Sequence, residues 1–193
     1  MSILGSSWIA RAVLIVTLAC LYTGAVEFNN QILFSGSQIG AFRNWVFLPA
    51  GLKLLLLMLF GWRAALALSL SIATIVLSEV HTVPLLIAIS TGAFGGLVPY
   101  LGFMLLSKIL RLTYPWNGLN FKDIVIISVL IGMLEALIQR VGLSILGIET
   151  WDNLLKDSML VAIGRIMGTF LFMGLALWVK DQLEKHESHT RVI

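Results

Sequence analysis

Residues 84–106 read PLLIAISTGAFGGLVPYLGFMLL, twenty-three positions without a charged side chain. At about 1.5 Å of rise per residue, a helix of that length reaches about 35 Å, enough to cross a hydrocarbon layer of about 30 Å. Pro84 opens the run where its missing N–H is not needed. The flanking sequence repeats this character. The 193 residues are 59% hydrophobic and 12% charged, with a mean hydropathy of +0.96. Soluble domains carry about 25% charged residues, and half that amount cannot cover a globule in water. A soluble enzyme is excluded on composition. The fold class expected is all-α: a polytopic membrane helix bundle.

Five more apolar runs accompany the quoted one. The first covers Trp8 to Phe28 and is broken by Asn29-Asn30-Gln31. Ser35 to Arg43, with its Gly and Ser residues, reads as a loop able to dip back into the interface. The second span covers Asn44 to Phe60, and Gly61-Trp62-Arg63 forms a tight turn into a third from Ala64 to Ser78. Glu79, His81 and Pro84 mark the turn into the fourth span. Lys108 to Lys122 is a polar connection holding Pro115, Asn117, Gly118 and Asn120, all loop formers. The fifth span covers Asp123 to Leu146 and the sixth Ser158 to Val179. About six transmembrane helices thus form a single domain over residues 1–180. Residues 181–193 make a short polar cytoplasmic tail, too small for an output domain. The first run is too long for a cleavable signal peptide and lacks a cleavage site. Cys20, alone, excludes an internal disulfide and a thiol pair for a metal.

The cations orient the bundle. Six spans place Arg11, Arg63, Lys108, Arg111, Lys122, Lys180, Lys185 and Arg191 on one side. The other side has Arg43 and Lys156 beside Glu149, Asp152 and Asp157. Eight against two follows the positive-inside rule with both termini cytoplasmic, and points to a multi-pass protein of a bacterial inner membrane. The net charge of +3 is therefore a topology signal and not a nucleic-acid footprint. Trp8, Trp45, Trp62, Trp116, Trp151 and Trp178 all fall near span ends, as an interfacial aromatic belt requires.

Lys53, Glu135, Gln139, Arg140 and Arg165 lie inside spans. Charges at membrane depth are costly unless they pair or reach water, and they mark bundle interiors and cavities. Counting helical rise from these spans puts Lys53 about 13 Å and Arg165 about 10 Å below the external surface, with Arg140 shallower and Glu135 deeper. Glu135 and Gln139, four apart, share a face, with Arg140 beside it. Three cations around one carboxylate then make a candidate ligand-binding site in the outer half of the bilayer, suited to an anionic small molecule or a lipid head group. A purely structural reading is also open. Glu135 would pair with Lys53 or Arg165 to lock three helices, while Arg140 and Lys53 snorkel to the surface.

Gly92 and Gly96 are four apart, as are Gly164 and Gly168, while Gly132 and Ala136 repeat the spacing. Such positions let helix backbones approach, inside the bundle or across a homodimer face. Gly95-Gly96 and Pro99 add a thin place or kink in the fourth span. No catalytic constellation is legible. His81 beside Glu79 is not a metal site, His186 and His189 lie in the tail, and no nucleophile–base pair or phosphate loop occurs. No cofactor is expected.

The stretch Leu48-Pro49-Ala50-Gly51, an apolar run and Phe60-Gly61-Trp62-Arg63 resembles the start of MASE1 domains, bacterial membrane sensory domains usually joined to a cytoplasmic enzyme. The glycines of the fourth span stand where that family has a Gly-Asn segment, here without the Asn. Gly164-Arg165-Ile166-Met167-Gly168 stands where the family tends to carry Trp-x-Gly-Asp, with Arg165 nearby in place of the acidic residue. The family usually has about eight spans; the resemblance implies a shortened, stand-alone relative signalling through a partner protein. Two other functions fit: the substrate-binding subunit of a vitamin-type transporter, or a non-catalytic accessory subunit of a larger membrane complex. A protein partner or a homo-oligomer is expected in each case.

Overall fold

The computed structural model describes residues 7–33, 38–40, 43–44, 46–79, 83–111, 121–145 and 151–190. Six α-helices carry the fold: α1 (Trp8–Phe28), α2 (Pro49–Phe60), α3 (Trp62–Glu79), α4 (Leu85–Ile109), α5 (Phe121–Ile145) and α6 (Leu154–Thr190). Between α1 and α2 lies a small antiparallel ribbon of β1 (Gln38–Gly40) and β2 (Arg43–Asn44), with Gln38 opposite Asn44. All helices except α2 are long and apolar enough to cross a membrane, and the chain is a multi-pass membrane helix bundle.

Local rules account for the helix ends. Ser7 caps α1, its hydroxyl accepting from the Ala10 N–H at 3.1 Å. Asn29–Leu33, expected as a break, instead continues α1 as a π-helical turn. Gly61 alone separates α2 from α3; it has φ +55°, a conformation glycine adopts without steric penalty. α4 starts after Pro84 and runs unbroken through the buried Pro99. α6 begins at Leu154 and continues to Thr190. At 37 residues it is about 55 Å long, far beyond the hydrocarbon thickness. Residues 181–190, read as part of the polar tail, continue the last helix. The turn containing His81 and most of the 108–122 connection lie outside the described residues.

The second span departs most from expectation. Its helix starts at Pro49, not Asn44, and twelve residues reach only about 18 Å. Residues 46–48 approach it as non-helical chain laid against the first half of α6. The Phe47 N–H donates to the Gly164 carbonyl at 2.9 Å, and the Leu48 N–H donates to Asn29 Oδ1 at 3.1 Å. Non-helical backbone survives at this depth because it is enclosed by protein and its donors are satisfied. Gly164 lies ten residues into α6, about 15 Å along it.

Packing is close where small residues meet. A Cβ on Gly92 would lie 2.3 Å from the Ser69 carbonyl, and one on Gly96 2.4 Å from that of Ala65. These glycines let α4 seat on the Ala65, Ser69 and Ala73 face of α3. Gly168 serves a different neighbour: its Cβ would sit 2.0 Å from the Phe47 carbonyl, so it makes room for the non-helical chain that leads into α2. Gly132 faces Ile166 and Arg165 of α6. One apolar core joins α1, α2 and α3 through Leu18, Leu57 and Leu68; another joins α2, α4, α5 and α6 through Leu54, Phe103, Ile127 and Met173.

A candidate ligand site at the centre of the bundle

Lys53 sits one turn into α2, so the half-length helix delivers its ammonium to the middle of the bundle. There it donates to Glu135 Oε2 of α5 at 2.9 Å. Arg165 of α6 donates to the same oxygen through Nη1 at 3.0 Å, and its Nη2 donates to Gln139 Oε1. Lys53 is 5% and Glu135 8% exposed. Four of the sequence candidates, Lys53, Glu135, Gln139 and Arg165, thus converge on one cluster. Glu135 and Gln139 can share it because a spacing of four brings residues to one helix face.

Arg140 lies on a different part of the α5 surface. Five positions from Glu135, it points about 140° around the helix. It is fully buried and does not line the cavity described below. Arg140 and Lys53 are buried and do not snorkel to the surface, and Lys53 and Arg165 both reach the Glu135 carboxylate. The depths also shift. With α6 starting four residues earlier than expected, Arg165 lies about 16 Å along it, and Glu135 about 15 Å from the end of α5. The cluster is therefore close to the middle of these two spans.

Above the cluster opens a cavity of about 560 Å³. Its walls are the C-terminal halves of α1, α3 and α5, the N-terminal half of α4, and Val161 of α6, with Phe47 beside Lys53 at the floor. Val76, Phe94, Val98, Ile138 and Val141 make the wall predominantly apolar. α4 and α5 pack on each other near their other ends. There Gly102 lies against Leu134 and Ile131, and Phe103 packs with Ile124 and Ile127. Toward the cavity end the two helices part, and a Cβ on Gly142 would meet nothing within 4 Å.

Two participants escaped the sequence reading. Tyr22 of α1 is buried with its ring centroid 5.9 Å from Lys53 Nζ, within reach of a cation–π contact. Its one signal was a hydroxyl in mid-span. Asn29, read as a helix breaker, is 1% exposed and anchors Leu48. Among the described residues no group of three or more His, Cys, Asp or Glu could hold a metal. The cluster can hold a charged group against two cations in a dry, apolar surrounding, where such contacts are strong. Comparison with known proteins finds no family model, curated protein or solved structure that matches the chain.

Proposed function

We propose that this protein is a ligand-binding membrane module of sensory type, residing in a bacterial inner membrane and signalling through a protein partner. The observation that supports this reading is the cavity of about 560 Å³ that ends on Lys53, Glu135, Gln139 and Arg165. Ligand sites are concave and mainly apolar, with a few converging polar groups, commonly between helices of a bundle, and span about 300–1,000 Å³. Intramembrane charges facing such a space are expected to be functional. The MASE1-like stretch adds a second support. Pro49 to Phe60 is α2 itself, the half-helix that carries Lys53. Within it Pro49 begins the helix, and Gly51 admits Phe172 of α6, whose Cβ would lie 2.5 Å from an added Cβ.

The same cavity would serve the capture subunit of a small-molecule transporter, since it extends from mid-membrane to one end of the bundle. Native mass spectrometry of the protein extracted gently from its own membrane tests both. A small molecule retained by the wild type and lost in Arg165→Ala supports binding. A stoichiometric partner protein with no small molecule in either sample overturns it in favour of an accessory subunit.

A further inference from the structure

Deepening the ligand-binding reading on which it rests, we propose that the ligand is a single-chain anionic lipid that enters sideways from the bilayer between α4 and α5 and sets its head on Lys53 and Arg165. Three observations converge on this class.

The first is the portal. Phe94 of α4 and Ile145 of α5 both line the cavity, yet they are 62% and 70% exposed. Side chains that face the cavity and the outside of a membrane span together mark an opening toward lipid. It lies where α4 and α5 have parted, and it is framed by apolar groups that a lipid chain passes without desolvation.

The second is the floor. Lys53 and Arg165 share one carboxylate, which leaves a net positive charge in a surrounding of low dielectric. Their eight N–H donors, with two more on the Gln139 amide, exceed what Glu135 and the Gln139 carbonyl can accept. An anionic head group matches both surpluses. A cation would meet two like charges, and an uncharged hydrocarbon would leave the donors as they are. The apolar walls equally disfavour a small hydrophilic anion, which would leave most of the cavity unfilled.

The third is the water-side mouth. Glu79 lines the cavity at that end and is exposed, and Glu27 is near enough for the two charges to interact. Among the described residues, an anion arriving from water on this side meets the like charge of Glu79, whereas one arriving through the α4–α5 opening does not.

The test uses the full chain in phosphatidylcholine nanodiscs with palmitate bearing a terminal diazirine. After irradiation, labelled peptides are mapped by mass spectrometry, with unlabelled palmitate, hexadecanol and butyrate as competitors. The expected labels fall on α4 around Phe94 and on α5 around Gly142–Ile145, at the portal end away from the floor. Palmitate should compete at least tenfold better than hexadecanol or butyrate. Gly142→Phe should cut labelling at least tenfold, because its side chain grows into open cavity space, leaving elution volume and melting unchanged. Hexadecanol competing as well as palmitate overturns the proposal, since the head charge is then not read. Butyrate competing equally overturns it in favour of a water-soluble anion and leaves the ligand-binding reading standing. Labelling spread over the lipid face and equal in Gly142→Phe also overturns it. If native mass spectrometry in addition finds no retained molecule of any kind, the ligand-binding reading falls as well.

Discussion

One carboxylate oxygen, Oε2 of Glu135, accepts from Lys53 at 2.9 Å and from Arg165 at 3.0 Å. Removing one partner from a buried ionic cluster leaves uncompensated charge and costs about 3–5 kcal/mol. Glu135→Ala strands two cations and should lower stability by that amount, read as a fall in melting temperature of detergent-purified protein. Lys53→Met should lose less, because Glu135 keeps Arg165. The reverse order of melting temperatures would show that Lys53, not Glu135, is the hub. Asn29 gives a second case. Its side-chain oxygen takes the Leu48 N–H at 3.1 Å, so Asn29→Ala leaves a half-buried donor without this acceptor. The cost should be about 1–3 kcal/mol, and the Leu48 amide should exchange its hydrogen faster.

The short helix α2 sets the character of the site. A full-length span would carry Lys53 with both neighbouring turns helical and leave no place for residues 46–48 against α6. The segment is admitted by Gly168, where an added Cβ would lie 2.0 Å from the Phe47 carbonyl and 2.7 Å from the Leu48 nitrogen. Both contacts are backbone and cannot rotate away. Gly168→Ala should therefore push the segment off α6, weaken the Phe47–Gly164 hydrogen bond and destabilise the protein by about 1–3 kcal/mol, as overpacking does. Gly142→Ala, facing open space, is the control and should leave melting unchanged. Equal melting temperatures for the two variants would refute the assigned role of Gly168. Gly92 and Gly96 act between helices instead, against the Ala65 and Ser69 backbone.

The helix directions make a claim about the assembled chain. The C-terminal halves of α1, α3 and α5 and the N-terminal half of α4 line one cavity, so these ends lie on one side of the bundle. α2 runs from mid-membrane to the opposite side, where Met58 meets Phe103 and Ile124. The half-helix thus preserves the parity of six crossings. Single cysteines at Ser7 and Gln182 should react with a membrane-impermeant thiol reagent from the same face of vesicles, and one at Leu155 from the other, with Cys20 replaced by Ala. Opposite labelling of Ser7 and Gln182 would overturn the six-crossing topology. Exposed Trp8, Trp62 and Trp151 stand near helix ends, and Trp178 stands within α6 just past the end of its apolar span, positions where interfacial rings are stable.

Much of this was legible in the residues, for a physical reason. Hydrocarbon imposes length and apolarity on every crossing helix, so runs such as Trp8–Phe28 and Pro84–Leu106 announce themselves, and charges within them stand out. The spacing of Glu135 and Gln139 placed them on one face because helical geometry is local. Three features were not legible. Leucine-rich sequence from 44 to 60 reads alike whether it crosses the membrane or begins halfway, since enclosure by α6 and Asn29, not local composition, satisfies the backbone of 46–48. Glycine spacing announces close approach but not the neighbour, so Gly168 gave no hint that it faces the non-helical backbone of Phe47 and Leu48. The cavity, too, comes from the parting of α4 and α5, a relation between two helices that neither encodes alone. Length and polarity are properties of a segment; enclosure, partner and empty space belong to the packed bundle.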